Sequence, residues 1–237
     1  MISDINKSEH EYIYEVKNIY KNYSLSKDSS TQVLKGVSLN IKKGSTISIQ
    51  GPSGSGKSTL LNLLGTLDSP SSGEIFLYEK NISLLNDLES AEIRKSKIGF
   101  ILQMYHLLPQ LTVLENVILP ALSLKQIIDD DTIKRAKLLL ERLDLTERID
   151  NLTSTLSGGE KLRTAIARSL INKPEILLAD EPTGSLDYEN AVKSGELLKE
   201  LSASEQFTLI TVTHWETLSN LMDEKYQLRN GILNKIM

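Results

Sequence analysis

The sequence predicts an α/β fold built on a mostly parallel β-sheet. Short runs rich in β-branched residues alternate with helical patterns, as a parallel sheet connected by helices requires. The run Ile176–Asp180, ILLAD, is apolar on both faces, which is typical of a central buried strand. A glycine-rich loop, Gly51–Thr59, stands between a strand pattern and a helix pattern. The 237 residues fit one large domain or two small ones, and we expect one.

Five strands are predicted from short apolar runs bounded by turn residues. They are Ser45–Gln50, Glu74–Tyr78, Lys97–Gln103, Glu175–Asp180 and Phe207–Thr213. The stretch EKYQLRNGIL predicts a final hairpin, because Asn230-Gly231 suits a two-residue turn. Residues 24–31 and 68–74 are polar, and we predict a loop at each.

The chain between residues 103 and 173 contains no good strand pattern. Ile133, Ala136, Leu140 and Leu143 recur at helical spacing within TIKRAKLLLERLDL. We therefore predict a helical lobe inserted into the sheet domain.

The domain organisation follows from these elements, since the sequence contains neither an internal repeat nor a low-complexity linker. We predict a single domain over 1–237, with a core of about 12–103 and 174–237 and a helical lobe of about 104–173.

Composition excludes several classes of function. The net charge is −4, so no basic excess indicates nucleic acid as a partner. The absence of cysteine excludes disulfides, thiol catalysis and Cys-ligated zinc, and fits a reducing compartment. The three histidines are too scattered in sequence to indicate a metal site.

Membrane insertion is not expected from the sequence. The N-terminal stretch MISDINKSEHEYIYEV carries charges throughout and lacks the apolar region of a secretory signal. The most apolar stretch, 111–124, is interrupted by Glu115, Asn116 and Pro120 and is too short to span a bilayer. We expect a cytoplasmic protein whose membrane role, if any, comes through a partner.

The loop GPSGSGKST has the spacing of a phosphate-binding P-loop. Its glycines let backbone N–H groups surround phosphate oxygens, and the following helix adds the positive end of its dipole. Lys57 is expected to reach the β- and γ-phosphates, and the Ser58 hydroxyl to bind Mg²⁺. The predicted nucleotide-binding residues are Gly51, Pro52, Ser53, Gly54, Ser55, Gly56, Lys57, Ser58 and Thr59.

A pair of acidic residues ends the predicted central strand. We expect Asp180 to hold Mg²⁺ through water and Glu181 to act as general base on the attacking water. An Asp-Glu pair at a strand end is more often a helix cap or a solvated turn. Beside a P-loop, the catalytic interpretation is favoured.

The motif Leu156–Glu160, LSGGE, resembles the signature of the ATP-binding-cassette (ABC) ATPases. Further family motifs follow in order: Gln103 after a strand (the Q-loop), GSLD at Gly184–Asp187 (the D-loop) and His214 after a strand (the H-loop). Tyr23 lies where the family places an aromatic residue that stacks on adenine. The resemblance spans about 12–233, and IGFILQMYHLLPQLTVLENVILPAL and LLADEPTGSLD resemble the lipoprotein-releasing and macrolide-exporter branch.

The resemblance implies roles for these residues, with ATP and Mg²⁺ as ligands. Gln103 is implied to ligand Mg²⁺ and report to the transporter-facing lobe, although a polar strand end is the plain alternative. His214 is implied to hydrogen-bond the γ-phosphate and orient the water, which a neutral imidazole can do. Asp187 is implied to act across a subunit boundary, or to cap a helix. For Tyr23, a place in the core is the alternative. The signature residues implied to face a partner's γ-phosphate are Ser157, Gly158, Gly159 and Glu160.

The resemblance also implies an architecture and partners. The fold implied is a P-loop NTPase (RecA-like) core with an antiparallel β subdomain and an inserted α-helical subdomain. Two chains are implied to pair head to tail as an ATP-dependent homodimer, and integral membrane permeases are implied as partners. The chain is then peripheral, at the cytoplasmic face of the inner membrane. The segment Met104–Ala121 is implied to receive a cytoplasmic helix of the permease, or else to be core of the lobe.

Several positions depart from the family pattern, and several functions stay open. Lys161, Leu162 and Trp215 replace more usual residues beside the signature and the H-loop, and Ser185 replaces the usual Asn of the D-loop. The function implied is ATP hydrolysis that powers a permease, with release of lipoproteins from the inner membrane favoured. Efflux and cell-division-type regulation are alternatives, and action on nucleic acid or ribosomes is less favoured because the chain has neither a second cassette nor a long coiled-coil insert.

Overall fold

The structure, a computed structural model, describes residues 11–26, 29–125 and 127–236. Within these ranges ten strands form two sheets, of order β2-β1-β4-β5 and β10-β9-β3-β8-β7-β6. The strands are β1 Tyr12–Ser26, β2 Ser29–Lys42, β3 Thr46–Gln50, β4 Ser72–Leu77, β5 Lys80–Asn81, β6 Ile98–Ile101, β7 Ile176–Asp180, β8 Thr208–Thr213, β9 Glu224–Arg229 and β10 Ile232–Lys235.

The larger sheet is mostly parallel, as predicted. Strands β9, β3, β8, β7 and β6 run parallel, and β10 adds an antiparallel edge. All six residues of β8 are buried, and β7 is buried over its first four residues, which is why these strands consist almost wholly of apolar and Thr side chains. Each of the five predicted strands is present within a few residues of its predicted bounds, although Glu74–Tyr78 forms β4 of the antiparallel sheet.

The predicted terminal hairpin is also present. Asn230 and Gly231 link β9 to β10 with φ of 53° and 80°, the left-handed backbone that a type I′ turn requires.

Helices connect the parallel strands. They are α1 Lys57–Leu64, α2 Asp87–Lys97, α3 Val113–Ile118, α4 Asp130–Arg142, α5 Gly158–Leu170, α6 Tyr188–Glu205 and α7 Glu216–Asn220. In the predicted helix α4, Ala136 and Leu140 are buried and Leu143 follows them into the core, while Ile133 is half-buried. The described residues between 104 and 173 contain helices and 3₁₀ turns, with a single strand-like bridge between Thr112 and Leu152.

The antiparallel sheet corrects both predicted loops. The loop predicted at 68–74 ends early, since β4 begins at Ser72. Residues 24–31, predicted as a polar loop, belong to long strands in their described part, where Tyr23 pairs with Thr31 and Ser24 with Ser30. Backbone hydrogen bonds between two strands do not depend on side-chain polarity, so a polar sequence can continue a hairpin. Residues 27 and 28 lie outside the described residues.

Within the described residues, two hydrophobic clusters lie on the two sides of the parallel sheet. One joins the antiparallel sheet and α1 to strands β3 and β8, and the other joins α3, α4, α5 and α6 to strands β7 and β8. The first is tied together by the buried Tyr14 hydroxyl, which donates to the Leu64 carbonyl at 2.7 Å. This bond joins the antiparallel sheet to the carboxyl end of α1.

Among the helices of the described ranges, none combines the length and apolar character that crossing a lipid bilayer requires.

Candidate active site

The P-loop leaves the carboxyl end of β3 and turns directly into α1. Gly54 and Gly56 have φ of 77° and 103°, a left-handed backbone that favours glycine. A β-carbon on Gly51 would lie 2.2 Å from the Leu228 carbonyl oxygen, so no larger residue fits there. Gly56 is the N-cap of α1 and has no side chain with which to cap it. The first N–H groups of α1 are thus available to an anion.

A cavity of about 720 Å³ opens above this loop. Its volume lies in the range that small-molecule sites occupy. The cavity brings the P-loop together with three residues that lie far apart in sequence, Gln103, Glu181 and His214. Its full lining is Val33, Pro52, Ser53, Gly54, Gly56, Lys57, Ser58, Thr59, Gln103, Glu181 and His214.

Lys57 spans the P-loop and the acidic strand end. Its buried Nζ donates to the Gly51 and Pro52 carbonyls at 2.9 and 3.1 Å. The same Nζ lies 3.9 Å from Oε1 of Glu181. The Lys57 ammonium group therefore lies between the phosphate-binding loop and the proposed base.

Glu181 is held in an unusual backbone conformation by several contacts. Its φ is 46°, and a left-handed non-glycine residue persists only where its surroundings hold it. Its N–H donates to the Val212 carbonyl at 2.9 Å. Its Oε2 accepts from the Thr213 hydroxyl at 3.1 Å and lies 2.9 Å from Nδ1 of His214. The carboxylate is thereby fixed at the cavity wall.

The oxygen atoms beside Glu181 fit a magnesium ion. Oδ1 of Asp180 is buried and has no hydrogen-bond partner within the described residues, while the Ser58 hydroxyl bonds to the same carboxylate. Burial, together with the neighbouring Glu181, raises the pKa of Asp180, and the Ser58 hydroxyl and Lys57 oppose that rise. An orphaned carboxylate oxygen beside a hydroxyl supplies the hard donors that Mg²⁺ prefers. Ser58, Asp180 and Gln103 are the residues that could hold the metal.

The signature residues lie outside this cavity. Ser157 caps α5 in a reciprocal capping box, in which its Oγ accepts from the Glu160 N–H at 3.3 Å and Oε2 of Glu160 accepts from the Ser157 N–H at 2.8 Å. Ser157 and Gly158 are exposed, and a β-carbon on Gly159 would meet no heavy atom within 4 Å in the described part of the chain. The turn is thus a preformed helix N-terminus at the protein surface.

The D-loop residue Asp187 caps α6, as its alternative interpretation predicts. Its Oδ1 accepts from the Asn190 N–H at 3.0 Å, and its Oδ2 from the Asn190 side chain at 2.7 Å. These bonds lower the pKa of Asp187. The role of Asp187 across a subunit boundary stays a prediction.

Comparison with known proteins decides the family. Residues 34–184 match the ABC transporter family. The chain belongs to this family.

Relatives and solved structures agree with that assignment. The lipoprotein-releasing system ATP-binding protein LolD of Saccharophagus degradans is 47% identical over 92% of this chain and 95% of its own length. LolD of Myxococcus xanthus is 43% identical over 92% and 97%. The dimeric cassette MJ0796 bound to ADP and Pi is 40% identical, with a TM-score of 0.85, over 94% of this chain and 99% of its own. As an ABC cassette, the protein is an ATPase whose ligands are ATP and Mg²⁺.

Tyr23 lies next to the ATP cavity of this cassette without lining it. Its hydroxyl donates to Oδ2 of Asp68 at 2.7 Å and also bonds to Thr59 of the P-loop. Nζ of Lys21 lies 4.8 Å from the centre of its ring and donates to Oδ1 of Asp68 at 2.6 Å. The ring is therefore anchored beside the P-loop, and its contact with adenine stays a prediction.

Val33 is a cavity residue that the sequence analysis missed, because strand β2 was missed. Its side chain packs against Gly56, where a β-carbon would lie 3.0 Å from a Val33 methyl. The signal was available, since Val37, Leu39 and Ile41 alternate with polar residues and are buried.

The departures from the ABC pattern have local structural roles. Leu162 is fully buried in the cluster around α5. Lys161 lines a cavity of about 170 Å³ together with Met104 and Tyr105. Trp215 is half-buried, and its backbone N–H donates to the Thr213 hydroxyl at 3.0 Å. The Ser185 hydroxyl lies 2.9 Å from the hydroxyl of Tyr105.

Proposed function

We propose that the chain is the ATP-hydrolysing subunit of a transporter, which powers a separate membrane permease by closing as a head-to-tail dimer. We further propose that the cargo is lipoprotein leaving the inner membrane. Relatives of more than 40% identity that bear the lipoprotein-releasing name support this cargo.

One observation carries the proposal: the catalytic residues occur in two separate places on one chain. The P-loop, Glu181 and His214 line the ATP cavity, whereas the signature turn of Ser157–Gly159 lies outside its lining and is exposed or half-buried. A helix N-terminus with glycines in its first turn is suited to an anion. A second copy in head-to-tail orientation supplies the anion, because the γ-phosphate of the ATP bound at its P-loop faces this turn. The dimeric cassette MJ0796 supports such a pairing.

The residues of the cavity have defined roles in hydrolysis. Lys57 and the N-terminus of α1 bind and orient the phosphates. Water attacks the γ-phosphorus while Glu181 accepts its proton, and the bond to the β,γ-bridging oxygen breaks to give ADP and phosphate. Ser58, Asp180 and Gln103 would hold Mg²⁺, whose chemical contribution would be to neutralise negative charge on the phosphates. Loss of the γ-phosphate removes the contact with the partner's signature turn, so the dimer opens.

The permease contact is proposed at the segment Met104–Ala121. Met104 is 75% exposed, and the small cavity beside it contains Leu107 and Pro109. An exposed apolar side chain next to a cavity suits insertion of a helix from a partner. This contact holds the cassette at the cytoplasmic face of the inner membrane.

Mixing two inactive variants tests the dimer. Ser157→Arg blocks the signature turn, and Lys57→Ala removes the phosphate contact of the P-loop. In a mixed dimer one site carries both defects and the other carries neither, so ATPase activity reappears on mixing and is maximal at equal proportions. Activity that does not depend on mixing contradicts a site assembled from two chains.

Co-purification from solubilised membranes tests the partner and the cargo. We expect the tagged Glu181→Gln variant with ATP to carry an integral membrane protein with it. Vesicles reconstituted from that partner and the wild-type chain, which hydrolyses ATP, are expected to release a lipoprotein. Association with ribosomes or nucleic acid contradicts the transporter proposal. A membrane partner that moves another cargo overturns the lipoprotein proposal only.

A further inference from the structure

Tyr105 is a buried tyrosine two residues after Gln103, and it has a left-handed backbone. Its φ is 57°, and that of the following His106 is 46°. Consecutive non-glycine residues in this region are uncommon and are retained only where the surrounding structure holds them. The contacts of Tyr105 show what holds this turn.

The hydroxyl of Tyr105 joins the segment after Gln103 to the loop after Glu181. Its oxygen lies 3.0 Å from the Pro182 carbonyl oxygen and 2.9 Å from Oγ of Ser185. Since a carbonyl can only accept, the Tyr105 proton goes to Pro182 and Ser185 donates to the Tyr105 oxygen. Ser185 thus donates to Tyr105, and Tyr105 donates to the carbonyl of Pro182, the residue directly after Glu181.

The backbone of the same turn is bonded to the signature helix. The Arg168 guanidinium on α5 donates to the carbonyl of Tyr105, and to that of His106 at 2.7 Å. At the start of α5, a β-carbon on Gly158 would lie 3.4 Å from a methyl of Leu186 in the D-loop. The signature helix, the turn after Gln103 and the D-loop are therefore in direct contact with one another.

We propose that Tyr105 is a positioning residue that couples the two ATP sites of the dimer. Gln103 and Glu181 face the chain's own ATP, whereas the signature turn and Asp187 face the partner's ATP. The Tyr105 hydroxyl is bonded to Pro182 and Ser185, which lie between Glu181 and Asp187 in the chain, and its carbonyl is bonded to Arg168 of the signature helix. A shift of Gln103 on ATP binding is thereby transmitted to the surfaces that complete the other site. This inference rests on the proposed dimer.

Substitution of Tyr105 by Phe isolates the hydroxyl. The ring of Tyr105 belongs to the hydrophobic cluster with Val113 and Val117, and phenylalanine keeps that packing. Only the bonds to Pro182 and Ser185 are lost. Tyr14→Phe is a matched control, since it removes a buried hydroxyl that donates to a carbonyl, that of Leu64, outside the active site.

The experiment measures ATPase rate against ATP concentration for the full-length chain. We expect Tyr105→Phe to lower kcat by about three- to tenfold, the effect of one ordinary hydrogen bond, and to reduce the Hill coefficient towards one. ATP binding at the P-loop is expected to stay unchanged. Ser185→Ala should lower kcat and the Hill coefficient as Tyr105→Phe does, and the double variant should differ little from either single variant. Ser185→Asn keeps a donor, so its Hill coefficient should stay close to that of the wild type.

The outcomes separate this inference from the proposed function. A wild-type protein that forms no ATP-dependent dimer overturns both proposals, and one that dimerises without cooperativity overturns this inference alone. If the wild type is cooperative and Tyr105→Phe keeps its Hill coefficient, the inference alone is wrong. It is also wrong if Tyr14→Phe reduces the Hill coefficient as much, because the effect then comes from stability.

Discussion

Nδ1 of His214 lies 2.9 Å from Oε2 of Glu181, and this contact indicates which atom carries the proton. An ionised carboxylate only accepts, so Nδ1 of the imidazole carries a proton. Oε2 also accepts from the Thr213 hydroxyl and the His214 N–H. The other oxygen, Oε1, faces Nζ of Lys57 at 3.9 Å. We therefore expect Oε1 to receive the proton of the attacking water.

Glu181→Gln is predicted to abolish hydrolysis without abolishing ATP binding. The amide keeps the shape of the side chain but cannot accept a proton, and loss of a general base costs about 10²- to 10⁴-fold in rate. The uncleaved ATP then traps the closed dimer, which size-exclusion chromatography with and without ATP detects. Glu189→Gln, at an exposed residue paired with Lys193, is the control. A Glu181→Gln variant with normal turnover shows that another group is the base.

The parallel sheet could be predicted from the sequence because its signals are local. The apolar runs of β7 and β8 and the Asn230-Gly231 turn each specify their structure within a few residues. Strands β1 and β2 give a weaker signal, because register shifts interrupt their pairing and break the alternation of apolar and polar residues. The hairpin pattern is partly present in β2, where Val37, Leu39 and Ile41 alternate with polar residues.

The candidate site shows the same division. Motif order predicted Lys57, Glu181 and His214, and the cavity brings all three together. Two features of the site could not be predicted. One is the left-handed backbone of Glu181, and the other is the bond between Tyr105 and Ser185, which are 80 positions apart in the sequence. Such contacts depend on how strands and loops pack, which no local pattern records.

Gly159→Ala is predicted to fold at least as well as the wild type but to lose ATPase activity. Within one chain a β-carbon at Gly159 meets no heavy atom of the described residues within 4 Å, and alanine favours helix over glycine by up to about 1 kcal/mol. In the proposed dimer, we expect the same methyl group to meet the partner's phosphate. Urea unfolding measures the first effect and steady-state ATPase the second.

ATP binding by the undimerised subunit is the control for Gly159→Ala, because that variant leaves the P-loop unchanged. A variant that is stable and fully active shows that this turn does not contact nucleotide.

Glu160 is predicted to make part of the stability depend on pH. The Arg148 guanidinium, with the Ser157 N–H and hydroxyl, lowers the pKa of Glu160 to about 2 from an ordinary value of 4.5. Because the pKa of Glu160 is lower in the folded than in the unfolded protein, its ionised carboxylate stabilises the fold fully above about pH 4.5. This contribution is lost as the pH falls towards 2. The difference in free energy of unfolding between wild type and Glu160→Gln should therefore shrink over that window.

Arg148→Gln is the matched control for this pH effect. The Nε of Arg148 lies 2.7 Å from Oε1 of Glu160. Without this guanidinium, the change in free energy of unfolding that Glu160→Gln causes at neutral pH should be smaller. A wild type and a Glu160→Gln variant that differ equally at every pH contradict the assignment.

Tyr14→Phe is predicted to destabilise the fold by about 1–3 kcal/mol, the cost of leaving a buried acceptor without its partner. The fully buried Tyr14 hydroxyl donates to the Leu64 carbonyl at 2.7 Å, at the last residue of α1. This bond joins the antiparallel sheet to the helix that follows the P-loop. Urea unfolding measures the loss, with Tyr188→Phe, at a side chain that is 65% exposed, as the control. Equal stability of the two variants shows that water replaces the missing donor, and that α1 is held by packing alone.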